Sequence, residues 1–465
     1  MNKKEKKDRK SANNSWQYRL RLLILPGLKR WILFILIGIV TIVFGVLLLL
    51  KVHPVQMMLD LLKDVLGDTA HALPARISGI IALAIGGAVT FYAVVKLIMS
   101  ILGAYIPQGD RESIPDVLYR RRHLERGARV VVIGGGTGLS NLLKGLKRFT
   151  NNITAIVTVG DDGGSSGRLR QELGVLPPGD MRNCITALAD EEKLVTELFR
   201  YRFEQGGLEG HSFGNLFLTA VCAITDGDMV EAARVASRVL NSCGQVLPST
   251  LQNVSLSAVL ENGEVIRGES RISESKSRII ALRSDPVAPA ATPAALEAIL
   301  HADFIVIGPG SLYTSIIPNL LVEGIPEAIL KSKARKVYVC NVMTQKGETT
   351  GYGVSDHVNA LLAHANFTGG TQLGARQRFI DRVLVNSSQA RVVLDGRPLT
   401  TVTCEPEKLR PLGVRAMFRD VGSVDFPGQH DPEKLAAALM LWYETRSKGR
   451  MFGGRPPKAP QIAVL

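Results

Sequence analysis

Two glycine-rich segments carry residue types that bind phosphate groups. The first, GGGTGLS at positions 134–140, directly follows the apolar run RVVVI, and the second, GPGSLYTS at 308–315, follows FIVI. Glycine leaves backbone N–H groups open to a phosphate oxygen, and the N-terminus of a following helix favours an anion. The repeated order of strand, glycine turn and helix predicts one shared phosphate-binding crevice. The candidate ligands are Gly134, Gly135, Gly136, Thr137, Gly138, Ser140, Gly308, Gly310, Ser311 and Thr314.

The first segment departs from the nicotinamide-binding pattern. A dinucleotide fingerprint has the spacing GxGxxG, and Leu139 occupies the third glycine position. A standard NAD site is therefore disfavoured. A purely structural role for these glycines, in a tight turn, is the alternative to phosphate binding.

A third polar segment, VGDDGGSSGRLR at 159–170, follows another apolar run. Adjacent carboxylates can coordinate Mg²⁺ or accept hydrogen bonds from sugar hydroxyls, so Asp161 and Asp162 are candidate catalytic residues. The glycines and serines could close over a phosphate, and an arginine could neutralise it. These candidates are Gly163, Gly164, Ser165, Ser166 and Arg168. The alternative is a flexible surface loop.

Three further motifs add polar side chains: PPGDMRNC at 177–184, HSFGNL at 211–216 and CNVMTQKGET at 340–349. In the first, Asp180 either caps the following helix or binds a ligand, and Arg182 and Asn183 belong to the first helical turn, where a phosphate would also point. His211 and Asn215 place an imidazole and an amide at the start of an apolar helix. Asn341 follows a strand and suits recognition of a base or sugar.

Several other chemistries lack their signatures. The sequence contains no GxSxG, HExxH, Walker A or protein-kinase motif, which disfavours hydrolase and P-loop chemistry. Its five cysteines show no CxxC spacing, so neither a zinc site nor a disulfide framework is predicted. The sequence names no metal.

The elements that position these motifs alternate short apolar runs with helical stretches, which predicts an α/β fold with a mainly parallel, Rossmann-like sheet. We expect strands at 130–133, 153–159, 304–307, 336–341 and 383–386. Residues 256–270 predict a β-hairpin turning on Asn262 and Gly263, a small antiparallel excursion from that sheet. We assign the nucleotide-binding domain to 129–447 and a flexible tail to 448–465.

The N-terminal quarter predicts a hairpin of two transmembrane helices. Residues 31–50 contain no charged side chain and residues 77–102 contain only Lys96. About 20 apolar residues cross a hydrocarbon core of about 30 Å. A cleaved signal peptide is the alternative for the first span. A short amphipathic helix is predicted between the spans, at 55–66.

The distribution of charge orients this hairpin. Lysine and arginine crowd the tail at 1–30 and the linker at 103–128, and they account for much of the formal net charge of +14. The positive-inside rule then places both termini and the large domain in the cytoplasm of a multi-pass membrane protein. Basic residues beside apolar spans favour contact with anionic lipid, so nucleic acid is not an expected partner.

Taken in order, GGGTGLS, GDDGGSSGRLR, PPGDMRNC, HSFGNL, GPGSLYTS and CNVMTQKGET resemble the motifs of the gluconeogenesis factor (YvcK-like) family, which is related to the CofD-like 2-phospho-L-lactate transferases. The resemblance implies a Rossmann-like fold that binds a nucleotide diphosphate sugar, such as UDP-N-acetylglucosamine. It also implies a regulatory role in carbon metabolism and in cell shape or envelope growth. Members of the family are typically soluble, so the N-terminal hairpin is a departure.

The resemblance implies no firm reaction for this branch. The related transferases move a phospholactyl group from a nucleotide diphosphate donor to a deazaflavin acceptor. If this chain were such an enzyme, Asp161 and Asp162 would serve the metal or the acceptor, and Mg²⁺ would be the expected cofactor. A homodimer is left open.

Overall fold

The computed structural model describes residues 28–50, 75–105, 124–189, 193–369, 378–388, 393–394, 397–398 and 400–447. The chain divides into two compact units, Met1–Arg121 and Arg122–Leu465. The predicted amphipathic helix at 55–66, the C-terminal tail and most of the basic linker lie outside the described residues.

The N-terminal unit contains two apolar helices, α1 (Leu28–Leu49) and α2 (Ala75–Tyr105). They pack through glycines: a Cβ added at Gly45 would lie 3.0 Å from the carbonyl oxygen of Gly79, and one at Gly86 would lie 2.9 Å from that of Gly38. Small residues allow two helix backbones to approach this closely. Both helices are long and apolar enough to cross a membrane.

The second unit contains the predicted parallel sheet together with a small antiparallel one. The strands are β1 (Val130–Gly134), β2 (Ile153–Val157), β3 (Gln245–Pro248), β4 (Ser255–Leu260), β5 (Val265–Arg267), β6 (Ile279–Asp285), β7 (Phe304–Ile307), β8 (Arg335–Val339), β9 (Arg382–Asn386), β10 (Val393–Leu394), β11 (Arg397–Pro398) and β12 (Arg415–Arg419).

The helices of this unit flank the strands. They are α3 (Gly136–Leu146), α4 (Gly164–Leu173), α5 (Gly179–Leu188), α6 (Lys193–Arg200), α7 (Phe213–Ile224), α8 (Met229–Val239), α9 (Glu269–Ile272), α10 (Pro293–His301), α11 (Ile317–Leu320), α12 (Ile325–Lys331), α13 (Val354–Gly369), α14 (Pro406–Leu409) and α15 (Pro432–Ser447). A 3₁₀ turn at Gly206–Leu208 and a π-helical turn at Leu312–Ile316 complete them.

The main sheet has seven parallel strands in the order β12-β9-β8-β7-β1-β2-β3. The central strands β1, β2 and β7 are buried along their whole length, because apolar clusters cover both faces of the sheet. The chain moves outward from β1 to β3 and then returns to β7 on the other side of β1. The strand order therefore reverses between β1 and β7, and ligands of doubly wound sheets bind at such a switch point.

The predicted strands are confirmed in place, and the hairpin is confirmed as β4 and β5, with Gly263 at φ +82° in its turn. Three longer strands were not predicted: β3, β6 and β12. In β12 only Met417 is buried, so this edge strand has no apolar run to mark it. β6 pairs with β4 and completes the small sheet in the order β5-β4-β6.

Candidate functional site

The two glycine loops meet at the switch point, where β1 and β7 end side by side with Ile133 opposite Ile307. A Cβ added at Gly138 would lie 2.8 Å from the carbonyl oxygen of Pro309, and one at Gly310 would lie 3.1 Å from that of Gly135. Larger residues would force the loops apart. We call this contact the glycine junction, residues 134–138 with 308–311.

Three amide side chains fix the glycine junction. Asn319 donates from Nδ2 to the carbonyl oxygen of Gly134 at 3.1 Å, and Asn341 donates to that of Gly310 at 2.9 Å. Gln345 donates from Nε2 to Ser311 Oγ at 2.9 Å. Asn341, which the sequence suggested for base or sugar recognition, thus holds the backbone of the second loop.

The predicted hydroxyl ligands are placed differently from one another. Ser140 donates to the carbonyl oxygen of Thr137 at 2.9 Å, inside α3, and Thr314 donates to Glu348 Oε1 at 2.8 Å. Both are buried. Thr137 is exposed at the start of α3 and is the hydroxyl of this group that solvent reaches freely.

Asp161 and Asp180 lie beside the glycine junction, and their charges act on Glu269; we call these three carboxylates the acidic floor. A Cβ added at Gly135 would lie 2.6 Å from Asp180 Oδ2, and one at Gly179 would lie 3.0 Å from Asp161 Oδ2. The acidic floor therefore adjoins the carboxyl end of β1, where a ligand of a doubly wound protein binds.

Burial, reinforced by repulsion between carboxylates, raises the pKa of two of these groups. Burial, followed by the charge of Asp161, raises the pKa of Asp180 to about 6, against the opposing effects of the Gly136 N–H and Arg182. Burial and then Asp161 and Asp162 raise the pKa of Glu269 to about 7. Carboxyl groups that titrate near neutrality are typical of functional sites.

Asp180 does not cap a helix. α5 begins at Gly179, its N-cap residue is Pro178, and no side chain makes a capping hydrogen bond. The Pro-Pro turn places Asp180 two residues past the capping position, and its carboxylate is directed at the glycine turn instead. Of the two roles that the sequence allowed, the capping role is wrong.

Asp162 joins the 159–170 segment to the small sheet. Its carboxylate accepts hydrogen bonds from the N–H groups of Glu269 at 2.8 Å and Ser270 at 3.0 Å, and from Ser270 Oγ at 2.7 Å. These are the free N–H groups at the start of α9. Asp161 accepts from the N–H of Gly163 at 2.9 Å, which shapes the turn before Gly164.

A buried polar network follows this turn. Ser165 Oγ lies 3.0 Å from His211 Nδ1 and accepts from Asn215 Nδ2 at 3.1 Å. Ser166 is also buried and lies against Gly179. Burial, followed by the charge of Arg168, lowers the pKa of His211. The structure thus brings together the serines of one predicted motif with the histidine and asparagine of another.

The predicted arginines lie at the edge of this network. Arg168 donates to the carbonyl oxygen of Glu209 at 2.7 Å, and Arg182 donates to Ser212 Oγ and to Asn183 Oδ1, both at 2.7 Å. Burial, followed by the charge of Arg202, lowers the pKa of Arg182.

Sequence reasoning missed Glu269. It belongs to the antiparallel excursion, far along the chain from Asp161, and no motif surrounds it. Glu269 follows Gly268 at the end of a hairpin, and nothing in the local sequence marks it as a site residue. Only the fold of the small sheet brings it to the crevice.

Metal and thiol chemistry receive no support from the described part of the chain. Among those residues, no group of three or more His, Cys, Asp or Glu side chains is arranged to hold a metal ion. Burial raises the pKa of Cys184 well above its usual value, so this thiol stays protonated. Mg²⁺ remains a prediction from the sequence.

The fold and the site define a doubly wound, Rossmann-like α/β protein with paired glycine loops at its switch point. A family model described as 2-phospho-L-lactate transferase CofD matches residues 130–421. The chain belongs to this family, in the branch whose members are named gluconeogenesis factor.

Relatives match this chain over two different lengths. A putative gluconeogenesis factor of Nostoc sp. is 48% identical over 434 residues, 91% of this chain and 93% of that protein. The gluconeogenesis factor of Bacillus subtilis is 45% identical over 320 residues, 67% of this chain and 97% of that protein. The Nostoc match extends beyond the Arg122–Leu465 unit into the N-terminal unit, whereas the Bacillus match comprises nearly all of a shorter protein.

A solved structure is similar to the α/β part of the chain. It is the crystal structure of a UPF0052 family member from Bacillus halodurans, 44% identical, with a TM-score of 0.63. The match covers 68% of this chain and 99% of that one. It shows the same fold.

Proposed function

We propose that the crevice at the switch point binds a nucleotide diphosphate sugar, with a UDP-sugar as the leading candidate. One observation carries this proposal: the acidic floor lies directly beside the glycine junction between β1 and β7. The ends of neighbouring strands at a reversal of strand order form a ready-made nucleotide crevice. Carboxylates at that position are suited to accept hydrogen bonds from ribose and sugar hydroxyls.

In this proposal the protein is a regulator that senses the ligand, not an enzyme that converts it. The relatives from Nostoc and Bacillus subtilis are named for gluconeogenesis, not for a reaction. A UDP-sugar is also a precursor of the cell envelope, so a protein that senses it would link carbon metabolism to cell shape and envelope growth.

Calorimetric titration of the full chain in detergent tests the ligand. We expect a UDP-sugar to bind more tightly than GDP, and NAD not to bind, because Leu139 breaks the nicotinamide fingerprint. NAD binding without UDP-sugar binding would replace the proposal with an oxidoreductase.

The anchor is a separate part of the proposal. Apolar side chains cover the faces of α1 and α2 that do not pack together, with Leu36 at 59% exposure and Val40 at 62%. A hydrocarbon solvent suits such faces. The anchor would hold the sensor beside membrane-bound envelope synthesis, with the α/β unit in the cytoplasm. Deletion of 1–108 should impair envelope growth and leave UDP-sugar affinity unchanged; normal growth would overturn this role.

The protonation of the acidic floor favours a second candidate, a transferase of the 2-phospho-L-lactate type. A carboxyl with a pKa near 6 or 7, such as Asp180 or Glu269, can transfer a proton at neutral pH. The test is product analysis with a nucleotide diphosphate donor, Mg²⁺ and a deazaflavin acceptor. Release of nucleoside monophosphate that depends on the acceptor would establish the enzyme; binding without release would leave the regulator.

A further inference from the structure

Four arginines, which we call the arginine rim, gather beside the acidic floor: Arg168, Arg182, Arg200 and Arg202. Three of them contact one short turn. Arg168 donates to the carbonyl oxygen of Glu209, Arg202 to that of Gly210, and Arg182 to Ser212 Oγ.

The backbone holds this turn in place. Arg202 pairs with Ser212 as an antiparallel bridge, and the N–H of Phe203 donates to the carbonyl oxygen of His211 at 2.9 Å. The N–H of Phe213 donates to the carbonyl oxygen of Tyr201 at 2.9 Å. The backbone pairing of residues 201–203 with 211–213 thus fixes the turn that the guanidinium groups contact.

In the described part of the chain, salt bridges do not neutralise the arginine rim. None of its four members forms an ion pair with a carboxylate in the described ranges, where Arg129 and Arg148, for example, pair with Asp303 and Glu433. Arg168, Arg182 and Arg202 donate to carbonyl, hydroxyl and amide oxygens. Arg200 and Arg202 also act as unfavourable charges on Arg182. Positive charges held together without salt bridges, with only the charges of Asp180 and Asp161 acting favourably on Arg182, attract an anion.

Arg182 connects the arginine rim to the acidic floor. It follows Asp180 by two residues in the first turn of α5, and the charges of Asp180 and Asp161 act favourably on it. One side of the crevice is therefore negative and the adjoining side positive. A nucleotide diphosphate sugar has the complementary division, with hydroxyl donors at its sugars and negative charge at its phosphates.

We infer that the arginine rim is the phosphate subsite of the crevice, and that the diphosphate binds there rather than against the amides of the first glycine turn. This inference rests on the proposed function. The turn at Gly136 already faces the carboxylate of Asp180, which would repel a phosphate. A guanidinium offers a planar pair of N–H donors that fits phosphate oxygens. The glycine junction then supplies the shape of the crevice.

Arg200 and Arg202 are the residues to change, because both are exposed, whereas Arg182 supports the buried network. The test is calorimetry on the full chain in detergent, with UDP-glucose, inorganic pyrophosphate and uridine as probes. The double variant R200Q/R202Q should bind UDP-glucose and pyrophosphate about tenfold more weakly or worse, since charge-assisted bonds are lost. Uridine affinity should not change.

Two further variants control the measurement. R238Q removes an exposed arginine from α8 and should leave all three affinities unchanged. R200Q/R202K keeps the charge at position 202 but loses the paired donors, and should restore only part of the affinity that R200Q/R202Q loses. Circular dichroism melts should show the variants to be folded.

The outcomes separate the subsite from the proposed function. If wild type and R200Q/R202Q bind UDP-glucose equally well, the arginine rim is not the subsite and nucleotide-sugar binding stands. If pyrophosphate binds and is lost in the double variant but UDP-glucose does not bind, the subsite stands and the proposed ligand is wrong. If neither probe binds the wild type, both are wrong.

Discussion

Two groups of carboxylates near the crevice differ in the hydrogen bonds that their surroundings give them. Glu348 accepts hydrogen bonds from the N–H of Tyr313 and from Thr314 Oγ1, each at 2.8 Å, and from Ser273 Oγ at 3.4 Å. Asp162 likewise accepts three hydrogen bonds, from the N–H of Glu269 and from the N–H and Oγ of Ser270. In the acidic floor, by contrast, burial raises the pKa of Asp180 and Glu269, and repulsion from neighbouring carboxylates raises it further.

The hydrogen-bonded carboxylates stabilise the fold, whereas the acidic floor is available to a ligand. Asp162 bonds the start of α9, and Glu348 bonds Ser273 just after its end, so these two carboxylates fasten the small sheet to the main one. That attachment brings Glu269, at the start of α9, to the acidic floor. Asp162 and Glu348, through their hydrogen bonds, therefore hold the carboxylates of the acidic floor close to one another. This arrangement destabilises the ligand-free protein and leaves hydrogen-bond acceptors for a ligand.

The largest expected effect is the loss of Glu348. Glu348→Ala removes the acceptor of the Tyr313 N–H and of the Thr314 hydroxyl, and both residues are buried. Each unsatisfied donor costs about 1–3 kcal/mol, so the free energy of unfolding should fall by about 3 kcal/mol or more in urea denaturation. Glu264→Ala, on the exposed hairpin, is the control and should change stability by less than about 0.5 kcal/mol. A loss below about 1 kcal/mol would place Glu348 with the acidic floor.

Glu269→Gln should have the opposite sign. The folded pKa of about 7 exceeds the ordinary 4.5, so the ionised group destabilises the fold at high pH, and this penalty disappears as the pH falls through 7 towards 4.5. Partial exposure screens the repulsion, and we expect a stabilisation of about 2 kcal/mol at pH 8. The gain over wild type should vanish near pH 4.5. A gain that is independent of pH would show that packing, not charge, is responsible.

The sequence predicted the parts of this site that are local. The glycine turns, the Asp161–Asp162 pair and the apolar strands are contiguous patterns, so the switch point could be expected from them. The contacts of Asp162 with α9 and of Arg202 with the 209–212 turn could not, because they join segments far apart or without periodicity. For the same reason Asp161 and Asp162 looked equivalent, although one lies on the acidic floor and the other bonds a helix end.

Asp180→Asn should give a smaller gain in stability with a loss of function. The amide keeps an acceptor for the Gly136 N–H and removes a charge whose pKa is raised to about 6, so unfolding at pH 8 should cost about 1.5 kcal/mol more. UDP-glucose should bind several-fold more weakly, because a hydroxyl loses its charged acceptor, while pyrophosphate should bind at least as well as to wild type. Equal weakening of both probes would argue that Asp180 supports the arginine rim instead.

Asp162→Asn should have the smallest effect and decides whether the two adjacent aspartates differ. An amide can accept from one N–H of α9 but opposes the other, at a cost of about 1 kcal/mol, as for the loss of a helix cap. Hydrogen exchange should therefore accelerate at the amides of Glu269 and Ser270 and stay unchanged at Tyr313, whose partner is Glu348. Asp425→Asn, at an exposed position, is the control. If UDP-glucose affinity fell while exchange at α9 was unchanged, Asp162 would act on the ligand as Asp161 is proposed to do. The division between bonded and repelling carboxylates would then fall between Glu348 and all the others.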